Sequence, residues 1–344
     1  MARLKTFRER LAKGELPPAI EVSDPAEAYD SGLEGAIYDP EGEEELLAGL
    51  QSEGKPVPIT DAAGEFGWES GAADGLYLPF QEIYRQAPGM QDIFGAAFPQ
   101  QTGDCVSHSL RHCLTISLAA AASNGNAGWP KLPPETVRVG GFHPSPNWWY
   151  RGHSGSGDSC PRSLKNAKDH VGMVVATNYP APLNLDLSRY SSSIATKWGR
   201  SPPPSDVEQQ LGGHKVKAYA SVSSWDEVVA ALKNGYGIHT CGGESWSKTR
   251  DARGVSQRTR GGWSHSLCYA GVDVANKLVL IMNSWGRWNS GPREIRGDAK
   301  NGLIPHGSFW SSWDDCKHRS AYAVSAIDSW PAQKLKPWNL RGTI

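Results

Sequence analysis

The 344-residue sequence contains no long hydrophobic run and no excess of charge of either sign. No segment approaches the roughly 18 consecutive apolar residues that suggest a membrane helix, so we expect no membrane partner. Its 35 basic and 36 acidic residues nearly cancel, which leaves no broad basic field to hold nucleic acid. The N-terminal stretch MARLKTFRERLAKGELPP has no apolar segment behind its basic start. We therefore predict no secretion signal and synthesis in the cytoplasm.

Cysteine is also scarce, and the six cysteines are scattered over positions 105, 113, 160, 241, 268 and 316. Without a secretion signal, this scatter predicts reduced thiols rather than a disulfide framework. Most of these residues are expected to be small buried side chains. A cysteine with a chemical role must therefore be marked by its neighbours in the sequence.

Composition divides the chain into four predicted parts. Residues 1–76 are polar, with many Gly and Pro, and we predict an arm that has one short helix near 42–51. Residues 77–210 are predicted to form a helical half and residues 211–330 a β-rich half. Residues 331–344 would be a C-terminal tail. Helices followed by strands predict an α+β protein in two subdomains.

Local signals place the main elements within these halves. Residues 105–122 carry a small and apolar stripe at helical spacing, with Asp104 in the position of an N-cap. A second helix is predicted at 161–171, between a proline and a glycine. Residues 224–227 have the spacing of a capping box ahead of a third helix. From residue 235 onward, short β-like runs alternate with glycine-bearing or polar loops, which predicts strands.

One cysteine, Cys105, lies at the start of the predicted helix 105–122, after the residues FPQQTGD. A cysteine attacks as a thiolate, and a helix N-terminus with a histidine partner lowers a thiol pKa below its free value of about 8.5. The partner must be a base held by an orienting group. The stretch GGWSHSLCYAGVDVANKLVLIMNSWGRW supplies both residues. His265 begins one predicted strand and Asn283 ends the next, so a hairpin would bring their side chains together.

At these residues the chain resembles the papain-like cysteine peptidases, in a divergent form of the kind found in bacteria and bacteriophages. The loop before the nucleophile contains glutamines and ends in Gly-Asp-Cys, and Asn-Ser-Trp-Gly is intact at 283–286. Residues 160–180 are similar to the family's substrate-side helix. The resemblance spans residues 77–328. It implies a papain-like α+β fold, with a helical left subdomain and an antiparallel, β-barrel-like right subdomain.

The resemblance also implies a role for each member of the catalytic group. Cys105 would be the nucleophile, His265 the general base and acid, and Asn283 the group that orients the imidazole. Trp285 would shield the hydrogen bond between His265 and Asn283 from water. The backbone N–H of Cys105 would form part of the oxyanion hole.

The resemblance is less direct at the substrate-binding positions. The second oxyanion donor would be the side-chain amide of Gln100 or of Gln101, both of which lie closer to the cysteine than the family's glutamine does. The Gly-Gly pair that hydrogen-bonds the substrate backbone in the family aligns with Asp158 and Ser159. Either glutamine, or neither, is compatible with this spacing, and substrate binding is expected either to differ from that of the family or to be lost.

No organic cofactor and no metal ion are expected. Cys105, His108 and His112 would fall within about 60° of one another on a helical wheel. However, no zinc-type pair of Cys or His lies nearby in the sequence to complete four ligands. A serine nucleophile is also not supported, because no glycine elbow surrounds a serine.

The sequence therefore predicts a papain-like cysteine peptidase that acts on a peptide or protein substrate. A transpeptidase or amidase would use the same three residues. The alternative is a structural or assembly protein on the same fold, such as a bacteriophage virion or tail component, with latent or lost activity. Other subunits or copies of an assembly would then hold the arm, 1–76. A groove filled by the arm would indicate latency or a structural role.

Overall fold

The computed structural model describes residues 35–37, 39–52, 75–91, 93–125, 127–128 and 141–326, together with the isolated positions 9, 12 and 13. The predicted C-terminal tail, 331–344, and much of the predicted arm lie outside these ranges. The boundaries predicted for the arm, the two halves and the tail therefore remain predictions.

Nine α-helices lie in the described ranges, and seven of them precede residue 212. They are α1 (Pro40–Ser52), α2 (Gln81–Gln86), α3 (Cys105–Ser123), α4 (Ser145–Trp148), α5 (Cys160–Asp169), α6 (Ser192–Thr196), α7 (Ser205–Leu211), α8 (Trp225–Lys233) and α9 (Trp313–Cys316). The side chains of α3 are buried from Cys105 to Ala121, which makes this helix the centre of the helical half. None of the helices in the described ranges has the length and apolar character that crossing a membrane requires.

An antiparallel sheet dominates the second part. The strands are β1 (Leu76–Tyr77), β2 (Phe142–His143), β3 (Val174–Val175), β4 (Asn178–Tyr179), β5 (Leu185–Asp186), β6 (Ala218–Ser221), β7 (Ile238–Arg250), β8 (Ser256–Asp273), β9 (Leu278–Met282), β10 (Ser308–Ser312) and β11 (Ser320–Ser325). The main sheet has the order β10, β9, β8, β7, β11, β6, and β1 pairs with the end of β8. The predicted α+β class is confirmed.

Alternate residues of β8 and β9 face opposite sides of the sheet, as the period of a strand requires. Cys268 and Leu280 belong to the apolar core that also contains Leu114 of α3. Leu267 and Ile281 belong to a second core that also contains Val228 of α8. The sheet therefore lies between helix α3 on one face and helix α8 on the other.

The two predicted helix caps have different outcomes. At α8 the capping box is present, because the Ser224 side chain accepts the Glu227 N–H and the Glu227 carboxylate accepts the Ser224 N–H. Asp104 is the N-cap residue of α3, but its side chain makes no capping hydrogen bond. One of its carboxylate oxygens instead accepts the Tyr190 hydroxyl at 2.8 Å. The predicted cap by Asp104 is therefore wrong, since a distant tyrosine binds that carboxylate.

Part of the predicted arm packs against the rest of the chain. Helix α1, where a short helix was predicted, follows the extended residues 35–37. Leu46 of α1 is buried in the same core as α3. The Asp39 carboxylate accepts the Ser159 hydroxyl at 2.7 Å, which ties the segment before α1 to the start of α5.

Candidate active site

Cys105 is the first residue of α3, and its side chain is fully buried. Its Sγ accepts a hydrogen bond from the backbone N–H of Ser266 at 3.3 Å. Ser266 follows His265 on strand β8. The contact therefore brings the start of the central helix against the strand that carries the predicted base, across the boundary between the two halves.

His265 and Asn283 are joined by a hydrogen bond. The His265 Nε2 and the Asn283 Oδ1 are 2.7 Å apart, and the Ser284 N–H donates to the same oxygen at 2.6 Å. Because an amide oxygen only accepts, Nε2 carries the imidazole hydrogen and Nδ1 is left with a lone pair. Nδ1 is buried and has no hydrogen-bond partner among the described residues. Among the described residues, no hydrogen bond joins this nitrogen to the Cys105 sulfur.

Aromatic rings cover the other side of the imidazole. The Trp285 ring stacks on the His265 ring, with centroids 4.6 Å apart and an angle of 27°. Trp263 meets both Trp285 and His265 edge-on. These rings exclude water from the bond between His265 and Asn283, which strengthens its electrostatic contribution. Trp285, the residue predicted to shield this bond, is fully buried and stacked on the imidazole.

The two candidate glutamines have different surroundings. Gln100 is buried, and its Oε1 accepts the Ser284 hydroxyl at 2.6 Å while its Nε2 donates to the Thr102 carbonyl at 2.6 Å. An amide nitrogen carries two hydrogens, so one is still available to an oxyanion. Gln101 instead lines a cavity of about 420 Å³ with Phe98, Tyr190 and Arg287 among its other walls. Gln100 is thus the glutamine tied to the residue that follows Asn283.

Residues 35–37 of the chain run through the groove beside these side chains. The Asp158 N–H donates to the Gly35 carbonyl, and the Ile37 N–H donates to the Asp158 carbonyl, both at 2.8 Å. The N–H groups of Gly35 and Ala36 both donate to the Ser264 carbonyl at 2.8 Å. The groove therefore binds a peptide backbone through Asp158 on one wall and Ser264 on the other.

The two residues predicted to bind substrate have separate tasks in this arrangement. Asp158 binds the segment through its backbone, and its carboxylate accepts the Ser159 N–H at 2.8 Å. Ser159 is the N-cap of α5, because its hydroxyl accepts the Arg162 N–H at 3.3 Å. Burial raises the pKa of the Asp158 carboxyl to about 6. Of the predicted pair, Asp158 is the one that hydrogen-bonds the peptide backbone of residues 35–37.

Burial under this segment determines the protonation of Cys105 and His265. It raises the pKa of the Cys105 thiol to about 12, although the Ser266 N–H and the Arg319 charge act in the opposite direction. It also lowers the pKa of the His265 imidazole to about 3. The sequence predicted a lowered thiol pKa, and for this state that prediction is wrong, because loss of solvent outweighs the helix N-terminus. Both groups are neutral here.

Arg319, a buried arginine that the sequence did not point to, hydrogen-bonds the backbone of His265. Arg319 donates to the His265 carbonyl at 2.5 Å, to the Thr240 hydroxyl at 3.1 Å and to the Glu244 carboxylate at 3.0 Å. It thereby fixes the backbone of β8 at His265. Arg319 precedes the last strand and belongs to no motif in the sequence, so only its place in the fold identifies it.

Two cysteines predicted to be reduced form a disulfide instead. Cys160 and Cys241 are bonded, with sulfurs 2.09 Å apart, whereas the other four cysteines are free and buried. The prediction of reduced thiols is therefore wrong for this pair, since the fold brings together residues separated by 81 positions. His239 lies beside them, with possible ligand atoms of the three residues within 4.8 Å of one another. In the disulfide state neither sulfur is a thiolate that could bind a metal.

No family model matches the chain, and no curated protein matches it. Similar solved structures include xylellain, a cysteine protease from Xylella fastidiosa, which is 13% identical at a TM-score of 0.44, with 76% of this chain and 94% of that chain covered. Digestive procathepsin L 3 of Tenebrio molitor larval midgut is 12% identical at a TM-score of 0.43, with 92% and 86% covered.

Procathepsin B S9 from Trypanosoma congolense is another similar structure. It is 11% identical at a TM-score of 0.45, and the match covers 92% of this chain and 96% of that chain. All three likenesses are at low sequence identity.

Proposed function

We propose that this protein is a papain-like cysteine peptidase in a latent state, with residues 35–37 of its own chain lying in the substrate groove. The observation that carries the proposal is the pairing of this segment with Asp158 and Ser264 directly beside Cys105. A groove that holds an extended peptide backbone next to a cysteine, with a base within the same site, is what hydrolysis of a peptide bond requires.

Catalysis would begin once the segment leaves and a substrate replaces it. His265 Nδ1 takes the proton of the Cys105 thiol, and the thiolate attacks the carbonyl carbon of the scissile bond. The negative oxygen that forms is stabilised by the Cys105 N–H and the free hydrogen of the Gln100 amide. Collapse of this intermediate breaks the C–N bond, and the amine leaves with the proton from His265. Water then hydrolyses the thioester and regenerates the thiol.

Each supporting residue has a defined part in this cycle. Asn283 keeps the imidazole in the tautomer whose Nδ1 can accept a proton, and Trp285 keeps water from their hydrogen bond. Solvent that enters with the substrate removes much of the burial that holds both groups neutral.

The test is selective labelling of Cys105 by a thiol-directed epoxide at near-neutral pH, read as the modified peptide by mass spectrometry. Wild type would be compared with Gly35→Leu, which is designed to displace the segment, and with Cys105→Ser and His265→Ala in that background. The proposal expects labelling and peptide hydrolysis in Gly35→Leu, and loss of both in the two double variants. Epoxide labelling that does not depend on His265 would overturn it.

A second candidate function is a structural or assembly protein, for example a virion component of a bacteriophage. The filled groove and the raised pKa of the Cys105 thiol favour it. It would be supported if Cys105 of Gly35→Leu reacts with a small neutral alkylator but shows neither epoxide selectivity nor hydrolysis. The fold would then serve as a scaffold whose groove binds a segment of the chain.

A further inference from the structure

The disulfide joins the two halves of the protein. Cys160 is the first residue of α5 in the helical half, and Cys241 lies within β7 of the sheet. The bond therefore crosses the boundary that the groove follows. A covalent connection at this position restrains the separation of the two walls.

Each cysteine of the disulfide lies near a residue that binds the peptide backbone. Cys160 is near such a residue in the sequence, and Cys241 is near one across the sheet. Asp158, two positions before Cys160, pairs with Gly35 and Ile37. Cys241 lies opposite Ser266 in the register of β7 and β8. Ser266 is two positions beyond Ser264 on the same strand. The disulfide thus connects the segment that contains Asp158, on one wall of the groove, to the paired strands that carry Ser264, on the other wall.

The nucleophile depends on the same strand. The Ser266 N–H donates to the Cys105 Sγ at 3.3 Å, and the Ser266 hydroxyl donates to the Thr240 carbonyl at 2.9 Å. The Ser266 hydroxyl also lies 3.9 Å from the Cys160 sulfur. Displacement of β7 and β8 relative to α5 would therefore change both the groove and the hydrogen bond to the nucleophile.

We propose that the Cys160–Cys241 disulfide is a positioning element that fixes the width of the groove, so that a peptide backbone binds Asp158 and Ser264 at the same time. Reduction of the bond weakens the simultaneous binding of the backbone by Asp158 and Ser264. A dithiol reductant supplies two electrons and two protons, Cys160 and Cys241 become thiols, and the reductant becomes its own cyclic disulfide. The inference deepens the proposed function, because it takes residues 35–37 as the occupant of the substrate groove.

The test uses the full-length protein. We would compare wild type with the disulfide intact, wild type reduced by a dithiol and desalted without oxygen, and the double variant Cys160→Ser, Cys241→Ser. Each sample is treated with iodoacetamide, and mass spectrometry follows every cysteine separately. The expected result is at least tenfold faster alkylation of Cys105 in the reduced and double-variant samples. Cys113, Cys268 and Cys316 should keep their slow rates, because they are buried elsewhere.

The alkylation rates of the three remaining thiols distinguish a positioning role of the disulfide from general stabilisation of the fold. Faster alkylation of all four cysteines would mean that the bond only stabilises the fold, and it would overturn the proposal. An unchanged rate at Cys105, with Cys160 and Cys241 shown to be reduced, would overturn it as well. The double variant Cys113→Ser, Cys268→Ser is the matched control and should leave the Cys105 rate unchanged.

This readout is independent of hydrolysis. Iodoacetamide needs only access to the thiol, so a protein without peptidase activity gives the same answer about the groove. If the double variant Cys160→Ser, Cys241→Ser does not fold, reduction and reoxidation of the wild-type protein decide the question alone. In that case Cys105 should become slow to react again after reoxidation.

Discussion

Gly35 lies against Cys105 so closely that a Cβ atom added to Gly35 would stand 2.7 Å from the Cys105 sulfur and 2.5 Å from the Gly103 carbonyl oxygen. Real Cβ atoms do not approach other atoms to such distances, so a side chain at position 35 displaces either the segment or the loop before the nucleophile. The loop is held by Gln100, whose N–H donates to the Ser284 carbonyl at 2.8 Å. The segment is therefore the part expected to move.

We predict that Gly35→Leu releases residues 35–37 from the groove. The rate of Cys105 alkylation by iodoacetamide, followed by mass spectrometry, should rise at least tenfold as the thiol gains solvent. Gly243→Leu is the matched control, since an added Cβ there would meet nothing within 4 Å. An equal rise in both variants, or none in Gly35→Leu, would show that residue 35 does not restrict access to Cys105.

Asn283→Ala should weaken catalysis without closing the groove. In the Gly35→Leu background, kcat/KM for a fluorogenic peptide should fall by about 10²-fold, because the imidazole loses the partner that fixes its tautomer. Alkylation of Cys105 by iodoacetamide at high pH, where the thiol ionises without a base, should change little. Asn276→Ala, in the exposed turn between β8 and β9, is the control. A fall in iodoacetamide reactivity as large as the fall in kcat/KM would argue against an orienting role.

Gln100→Ala should lower kcat by about 10²-fold in the same background, because one donor to the oxyanion is lost. The KM should change much less, since the ground-state carbonyl needs this donor less than the negative oxygen does. Gln101→Ala is the comparison, and steady-state kinetics of the two variants identifies the donor. A larger loss of kcat in Gln101→Ala would assign the role to Gln101.

The free energy of unfolding should fall as the pH is lowered from about 6 to 4. Burial lowers the pKa of His143, His239 and His265 to about 3 in the folded protein, so their contribution is present above the unfolded value of about 6.5 and is lost on acidification. Asp158 has the opposite sign, because burial raises its pKa to about 6.

Together with His112 and His153, whose pKa values burial also lowers, these groups let the unfolded chain bind more protons than the folded protein, so the free energy of unfolding has a positive slope against pH in this range. Urea unfolding at several pH values measures this slope. His239→Gln removes one buried histidine and should reduce the slope by the contribution of one proton. A slope that does not change in His239→Gln would mean that this imidazole is protonated within the fold.

The long periodic segments of the fold could be predicted from the sequence. Helix α3 begins at Cys105 as expected, and β8 and β9 form the hairpin that brings His265 to Asn283. The prediction that His265 begins its strand is wrong, because β8 already begins at Ser256, where it pairs with the long strand β7. Strand β10 was not predicted, because three of its five residues are serines and their burial depends on the neighbouring strand. Helix α7 was not predicted, since the prolines before it conceal the start at Ser205.

Contacts made by backbone atoms and by distant side chains could not be predicted. Residues 35–37 bind the groove through N–H and C=O groups that every residue carries, so the sequence holds no mark of the contact. The Cys160–Cys241 disulfide and the bonds of Arg319 depend on how the two halves pack. Sequence spacing predicts elements well, but these pairs are set by the tertiary fold.

The attachment of α1 makes the groove's occupant a tethered ligand. Leu46 in the core and the hydrogen bond from Ser159 to Asp39 keep the chain anchored when residues 35–37 leave. A short tether holds its ligand at an effective concentration in the millimolar range. A free substrate therefore competes with a neighbour that never diffuses away, and the rate of turnover would depend on substrate concentration far above the intrinsic dissociation constant of the groove.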